Sequence, residues 1–497
     1  MRSGAPVAVI DLGSNSSRLV VFRVGPGGVL DVVADEHVSL QLIRGLDDEG
    51  RLRDRAMTGA LRLLRDFRRI AEAAGATTIQ AFGTAALREA TNNREFLDRA
   101  RKESGIRLAL LDGAGEGRAG FLGAAYGLPV RDGLVFDIGG GSLQVTRFVD
   151  RSQHRTFSLP LGALRVTDEF LGSDPPSSGQ VKKLRAHVAR QLEKAKIGRL
   201  SATHTVIGTG GTVRNLAKVD ARRWDYPITR LHGYDLTLTR MRELVTLFLG
   251  RDSSARASLP GLNRSRADSI VGGCIVAEGV LEACGARHFL VAGQGMREGI
   301  VLAAAGGRLP EPVKVRASSV AAFAARFATC DPVRAARRTR VATSLYDHLE
   351  PYPEPTWREM LTHASALFDA GRSIDYYRLQ AHTASMIRSS GLAGFSHRGI
   401  ALVSSMVEMA DPEGWDPRRC SPPLGEDDYD ALERAGIVLC LADLVEQRRL
   451  PGPPSAVSTR TTGREFVLRE PGMDAWEDAD FARRFRDAFG KDLRTGR

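Results

Sequence analysis

Two stretches of this 497-residue chain share one layout, and that repeat limits what the chain can fold into. Leu134 to Val145 reads Leu-Val-Phe-Asp-Ile-Gly-Gly-Gly-Ser-Leu-Gln-Val. An apolar run ends at Asp137, three glycines and Ser142 follow, and an apolar run resumes, which predicts a strand, a tight turn and a returning strand. Gly139, Gly140 and Gly141 leave only backbone at the turn, so amide N–H groups can reach a phosphate with no Cβ in the way. Asp137 stands at the lip, where a carboxylate can hold Mg²⁺ or a water. Val7 to Phe22 repeats the pattern, with Asp11 for Asp137 and Gly13, Ser14, Asn15 and Ser16 for the glycine run. Either copy alone is compatible with an ordinary glycine-rich hairpin; two copies imply two similar domains facing each other across a phosphate site.

Other segments fit between and after these hairpins. Gly83 to Asn92 reads as a turn and helix start carrying Arg88, which can fork onto a phosphate or serve as a surface arginine. Behind a predicted strand at Ile106 to Leu111, Gly115, Gly117 and Gly120 spell Gly-x-Gly-x-x-Gly, the dinucleotide fingerprint. A ribose-binding acid would then end its strand, whereas Asp137 runs into three glycines and a returning strand, so the phosphate hairpin explains Asp137 better. Glu116 lies in that segment, in a first helical turn where the helix dipole alone would favour an acid. Thr205 to Ala217 predicts a strand, a glycine turn at Gly208, Gly210 and Gly211, and a helix starting near Thr212, a third anion site. No Gly-x-x-x-x-Gly-Lys-Ser/Thr occurs, which excludes a P-loop ATPase. Arg264 to Ala283 predicts a helix, and Gly306 to Ser318, with Pro310 and Pro312, a linker to a helical remainder.

Seventy Lys and Arg against 59 Asp and Glu give 70 − 59 = +11, a balance that favours polyanionic ligands. Aromatic residues are 6% and never cluster as in single-strand-binding surfaces, so nucleic acid is not the expected partner. The basic helix at Gly179 to Leu200 reads as a solvated face or as a polyanion track. Five scattered cysteines, never at Cys-x-x-Cys spacing, argue against disulfides and zinc and fit a reducing, cytoplasmic setting. No run approaches the ~20 apolar residues of a membrane span, so no membrane partner is expected.

Taken in order, these motifs resemble the exopolyphosphatase and guanosine pentaphosphate phosphohydrolase family (Ppx/GppA) from about residue 6 to about residue 305. Asp11-Leu-Gly-Ser-Asn-Ser and Asp137-Ile-Gly-Gly-Gly-Ser match its phosphate motifs. Leu161-Gly-Ala-Leu-Arg165, His232-Gly-Tyr234, Arg266-Ala-Asp268 and Arg297-Glu-Gly299 are similar too. The resemblance implies an α/β fold with two actin-like (ribonuclease H-like) domains facing a cleft, at 1–125 and 126–306. A mainly helical, degenerate HD-like domain at 307–497 would follow. It implies Glu116 as the catalytic base and Asp11 and Asp137 as ligands of Mg²⁺ or another divalent cation. Ser14, Asn15, Arg88, Gly139, Gly140, Gly141, Ser142, Gly210, Gly211 and Thr212 would cradle phosphate. The substrate would be inorganic polyphosphate or, alternatively, a guanosine polyphosphate, and a non-catalytic sensor of either is the rival from another class. A homodimer whose basic surfaces join into one channel is also implied. Two departures stand out: Gly115 where the family usually has Glu, and Gln144 where it usually has a second Glu. In the helical region the paired His-Asp is Phe368-Asp369, so no metal is expected there and His363 and His382 are expected to be structural.

Overall fold

The computed structural model describes residues 4–25, 28–411, 415–449, 457–474 and 476–495. They fall into two compact units, one of Met1–Asp225 with Leu231–Val315, the other of Tyr226–Arg230 with Arg316–Arg497.

The larger unit is built on two sheets. The first contains β1 (Val7–Leu12), β2 (Ser16–Val24), β3 (Leu30–Ser39), β4 (Thr78–Gly83) and β5 (Leu108–Leu110) in the order β3-β2-β1-β4-β5. The second contains β6 (Gly133–Ile138), β7 (Leu143–Val149), β8 (Ser152–Leu159), β9 (Thr205–Thr209), β10 (Tyr234–Thr237) and β11 (His288–Val291) in the order β10-β11-β9-β6-β7-β8. From β8 inward, the second sheet repeats the first: two antiparallel neighbours, a central strand, then two parallel ones, with β10 added at the far edge. The duplicated sequence motif is thus a duplicated topology.

The apolar runs explain why β1 and β6 are central. Val7, Ala8, Val9 and Ile10 are all buried, as are Leu134, Val135 and Phe136, because each strand is covered on both faces. Asp11 and Asp137 are each the next-to-last residue of their central strand. One neighbouring strand runs antiparallel and the other parallel, so both carboxylates emerge where the chain changes direction across the sheet. The Asp54–Ala73 helix seals the first sheet with Met57, Leu61, Leu64 and Phe67 at helical spacing.

The Gly-x-Gly-x-x-Gly segment has a packing explanation. The Gly113–Tyr126 helix lies over β7 and β8 and crosses the Met296–Ala304 helix. A Cβ on Gly117 would sit 2.4 Å from Thr156 Cγ2, and one on Gly113 2.4 Å from Ser158 Cβ. At the helix crossing, a Cβ on Gly123 would sit 1.8 Å from the Gly295 carbonyl oxygen, and one on Gly299 1.7 Å from that of Ala119. Close approach to β8 and to the crossing helix accounts for Gly113, Gly117 and Gly123 without a dinucleotide.

Two expectations need correction. The helix expected from Arg264 begins only at Ile270: Arg264–Arg266 forms a 3-10 turn, then Ile270–Cys284 is helical. The turn swings Arg266 inward, and its side chain is buried. The expected linker is half helix, because Pro312–Ala324 is helical. Proline at a first helical position gives up no hydrogen bond, so Pro312 starts this helix rather than breaking it.

The smaller unit is mostly helical, with a three-stranded sheet of β12 (Ser458–Thr461), β13 (Glu465–Arg469) and β14 (Asp492–Thr495). The arginine-rich Pro332–Leu349 helix turns its charges inward. Arg338 is fully buried and donates to Asp369 at 2.7 Å and to Asp443 at 2.6 Å, while Arg337 pairs with Glu446. His363 is buried edge-on against Phe395. No described helix is long and apolar enough to cross a membrane.

Candidate active site

The two hairpin turns meet. A Cβ on Gly140 would lie 2.9 Å from the Asn15 backbone nitrogen, and one on Gly141 3.0 Å from Ser14 Oγ. Ser14 is locked by accepting from the Ala86 N–H at 3.1 Å. The third turn closes in as well: Gly210 has φ +95°, and a Cβ there would be 2.5 Å from Asp137 Oδ1. Only glycine gives both that dihedral and that clearance. Together the three turns enclose a cavity of ≈ 120 Å³ lined by Asp11, Ser14, Asn15, Glu116, Asp137, Gly139, Gly140, Gly141, Ser142, Gly210 and Gly211.

Glu116 is placed by its own helix. Asp112 caps the Gly113–Tyr126 helix by accepting from the Gly115 N–H, which sets Glu116 in the first turn, buried and facing the cavity. Its Oε1 accepts from Arg88 Nη1 at 2.5 Å and its Oε2 from Gln144 Nε2 at 2.7 Å. Burial pushes its pKa up to about 7; Arg88 pulls it down and the charges of Asp11 and Asp137 add to the rise. A carboxyl group titrating there is matched to base chemistry at neutral pH.

Asp11 and Asp137 are both held above the usual carboxylate range, chiefly by burial. Arg297 counters this at Asp11, donating to Oδ2 at 3.0 Å; at Asp137 the opposing charges are Arg214, Arg297 and Arg266. Asp11 Oδ1 is buried with no hydrogen-bond partner among the described residues. Two desolvated carboxylates at one cavity, one with an orphaned oxygen, fit a divalent cation.

Three guanidinium groups on the wall escaped the sequence reading as phosphate contacts. Arg214 is half-buried on the wall, and its desolvation with the nearby charges of Arg297 and Arg18 lowers its pKa to about 10. Arg266 is also lowered by burial, and the Asn15 carboxamide, its oxygen turned toward that guanidinium, accepts at 3.1 Å. Arg297 is the third. The signals were faint: Arg214 lies four residues beyond Gly210, one helical turn, and Arg297 two beyond Gly295. Partly desolvated cations crowding one another make the cavity receptive to a polyanion.

Two residues expected to contact phosphate are not among those lining the cavity. Arg88 is not on the cavity wall but behind it, bridging Glu116 and the Leu111 carbonyl. Thr212 is buried off the wall, with its side chain against Gly273 of the Ile270–Cys284 helix.

Comparison with known proteins gives matches over both units. Residues 20–306 match the Ppx/GppA phosphatase family, and residues 315–449 match Ppx/GppA phosphatase, domain III. Exopolyphosphatase 1 of Mycobacterium leprae is 33% identical over 300 residues, 60% of this chain and 88% of that protein. Among solved structures, an exopolyphosphatase from Cytophaga hutchinsonii superposes with a TM-score of 0.57 at 26% identity, covering 61% of this chain and 98% of that one. The Ppx/GppA family member of Aquifex aeolicus gives 0.54 at 27%, covering 60% and 97%.

Proposed function

From the premise that this chain belongs to the Ppx/GppA phosphatase family, and is thus an enzyme of the phosphoanhydride-hydrolase type, we propose that it removes the terminal phosphate of inorganic polyphosphate. The observation that carries the reading is the convergence of the Asp11 turn, the Asp137 turn and the Gly210 turn on one arginine-lined cavity that Glu116 faces. In-line displacement at phosphorus asks mostly for positioning and charge neutralisation. Amides of Gly140 and Gly141 and of Gly210 and Gly211, with Ser14, Asn15, Arg214 and Arg266, bind the phosphoryl oxygens, while the Gly139 N–H closes the turn onto the Ser142 carbonyl at 3.0 Å. Glu116 takes a proton from water as its oxygen bonds to the terminal phosphorus and the bridging P–O bond breaks, leaving the shortened chain. Arg88 orients the base. Asp11 and Asp137 would hold Mg²⁺ or another divalent cation, which when bound neutralises charge on the anhydride oxygens.

Polyphosphate is placed first because the similar Mycobacterium leprae protein is named an exopolyphosphatase. Guanosine pentaphosphate remains the second reading, since both substrates end in the same phosphoanhydride. In this reading 1–125 and 126–306 are the two catalytic halves. The stretch 307–497 is an HD-like remnant without its own metal that serves a homodimer. Phosphate release from polyphosphate and from guanosine pentaphosphate with Mg²⁺, beside a Glu116→Gln control, tests the proposal. Release from polyphosphate that falls about 100-fold or more in the variant supports it. Release that the substitution leaves intact refutes the base assignment, and binding without release makes the protein a sensor.

A further inference from the structure

Gln144 is buried in the cavity wall, and its single amide nitrogen touches two functional groups at once, 2.7 Å from Glu116 Oε2 and 2.7 Å from Ser142 Oγ. An amide nitrogen carries two hydrogens and accepts none, so both bonds are donated. An ionised carboxylate can only accept, which fixes the end of the carboxamide that faces Glu116. Ser142 Oγ must therefore accept on the Gln144 side. Its own hydrogen is free to point into the cavity, where Ser142 forms part of the wall. Gln144 pairs across β6 and β7 with Asp137, and cross-strand neighbours project from the same face, so the carboxamide and that carboxylate share the cavity side of the sheet.

We propose that Gln144 is a positioning residue that sets the hydrogen-bond polarity of the site. It holds Glu116 as the acceptor of the water proton and turns the Ser142 hydroxyl into a donor to the transferring phosphoryl group. With Arg88 on Oε1 and Gln144 on Oε2, both oxygens of the base are held in place. Glutamate at this position would have the same length and the opposite effect. An acceptor-only carboxylate would draw the Ser142 hydrogen away from substrate and set two carboxylates within hydrogen-bond distance of each other, where like charges repel. In this chain the carboxamide is therefore part of the working arrangement and not a weakened cation ligand. The inference rests on the hydrolase reading above and deepens it.

The test is a double-mutant cycle of Gln144→Met, Ser142→Ala and both together, with Gln144→Glu alongside and each fold checked by circular dichroism. Turnover is followed as phosphate release, and tripolyphosphate affinity by titration calorimetry. Gln144→Met is expected to lower kcat at least about tenfold through the base and to weaken substrate binding through Ser142. Ser142→Ala should weaken tripolyphosphate binding about fivefold or more in the parent but less than about twofold in the Gln144→Met background, the non-additivity of coupled groups. Gln144→Glu should be slower than Gln144→Met. Equal effects of Ser142→Ala in both backgrounds, or a Gln144→Glu protein as fast as the parent, would overturn the proposal. Should Gln144→Glu not fold, the methionine cycle decides by itself. A parent protein that binds tripolyphosphate but releases no phosphate removes the hydrolase reading, and the affinity cycle still decides whether Gln144 aims Ser142.

Discussion

At the scale of single residues, the chemistry is set by how much water each charged group has lost. Glu116 titrates near 7 because burial outweighs its bond from Arg88. As a general base it works when deprotonated, so kcat/KM for polyphosphate should climb with pH through about 7 and then level off. A carboxyl group whose pKa rises on folding stabilises the fold most below its unfolded value, and that contribution is lost as pH rises through the folded value. Glu116→Gln, which cannot ionise, should therefore melt above the parent at pH 8 without added cation, the gap narrowing toward pH 5. Differential scanning fluorimetry across that range checks it. Asp137→Asn should raise the Mg²⁺ concentration needed for half-maximal rate, and a chelator should abolish turnover in the parent reversibly. A rate indifferent to chelation would remove the cation from the scheme.

At the scale of elements, glycine sets the distances between strand, turn and helix. Gly210→Ala combines a positive φ with a contact onto Asp137 and should cost about 1–3 kcal/mol in urea unfolding together with most of the activity. Gly299→Ala should be at least as damaging, since backbone and not a movable side chain stands where the new methyl would go. Within the literal Gly-x-Gly-x-x-Gly, Gly117 has a packing reason, clearance of Thr156 of β8, and further along the same helix Gly123 clears the Gly295 carbonyl. Spacing alone does not tell close packing from phosphate binding, because both require a missing Cβ.

At the scale of the whole molecule, two β-sheets of one topology bring the ends of their central strands to one cavity, while the smaller unit keeps its own core. Inside that core Arg338 is the one fully buried guanidinium among the largest buried side chains, satisfied by Asp369, Asp443 and the Ser365 carbonyl. Arg338→Ala takes the nearest cation from Asp369 and Asp443, which keep Arg334, Arg372 and Gln447 as partners, and should cost about 1–3 kcal/mol in equilibrium unfolding, whereas Arg338→Met should cost less. In solution the protein is expected to be a homodimer; light scattering at the mass of one 497-residue chain would remove that expectation.

The sequence by itself determined what is local. Apolar runs ending in Asp11 and Asp137, followed by small polar or glycine residues, specify strand, turn and strand wherever they occur, and their repetition specifies two like sheets. Only the tertiary structure decided which distant groups meet. Arg266 and Arg297 stand in motifs that the sequence singles out, but nothing local says that they share a wall with Arg214 until three separate segments bring them there. Arg88 carries the same local signal whether it reaches a phosphate or Glu116, and Gln144, a sequence neighbour of Ser142, meets Glu116 only because β7 packs against the Gly113–Tyr126 helix. Short-range pattern encodes backbone direction, but pKa, pairing and polarity depend on desolvation and on neighbours far along the chain, which no local window contains.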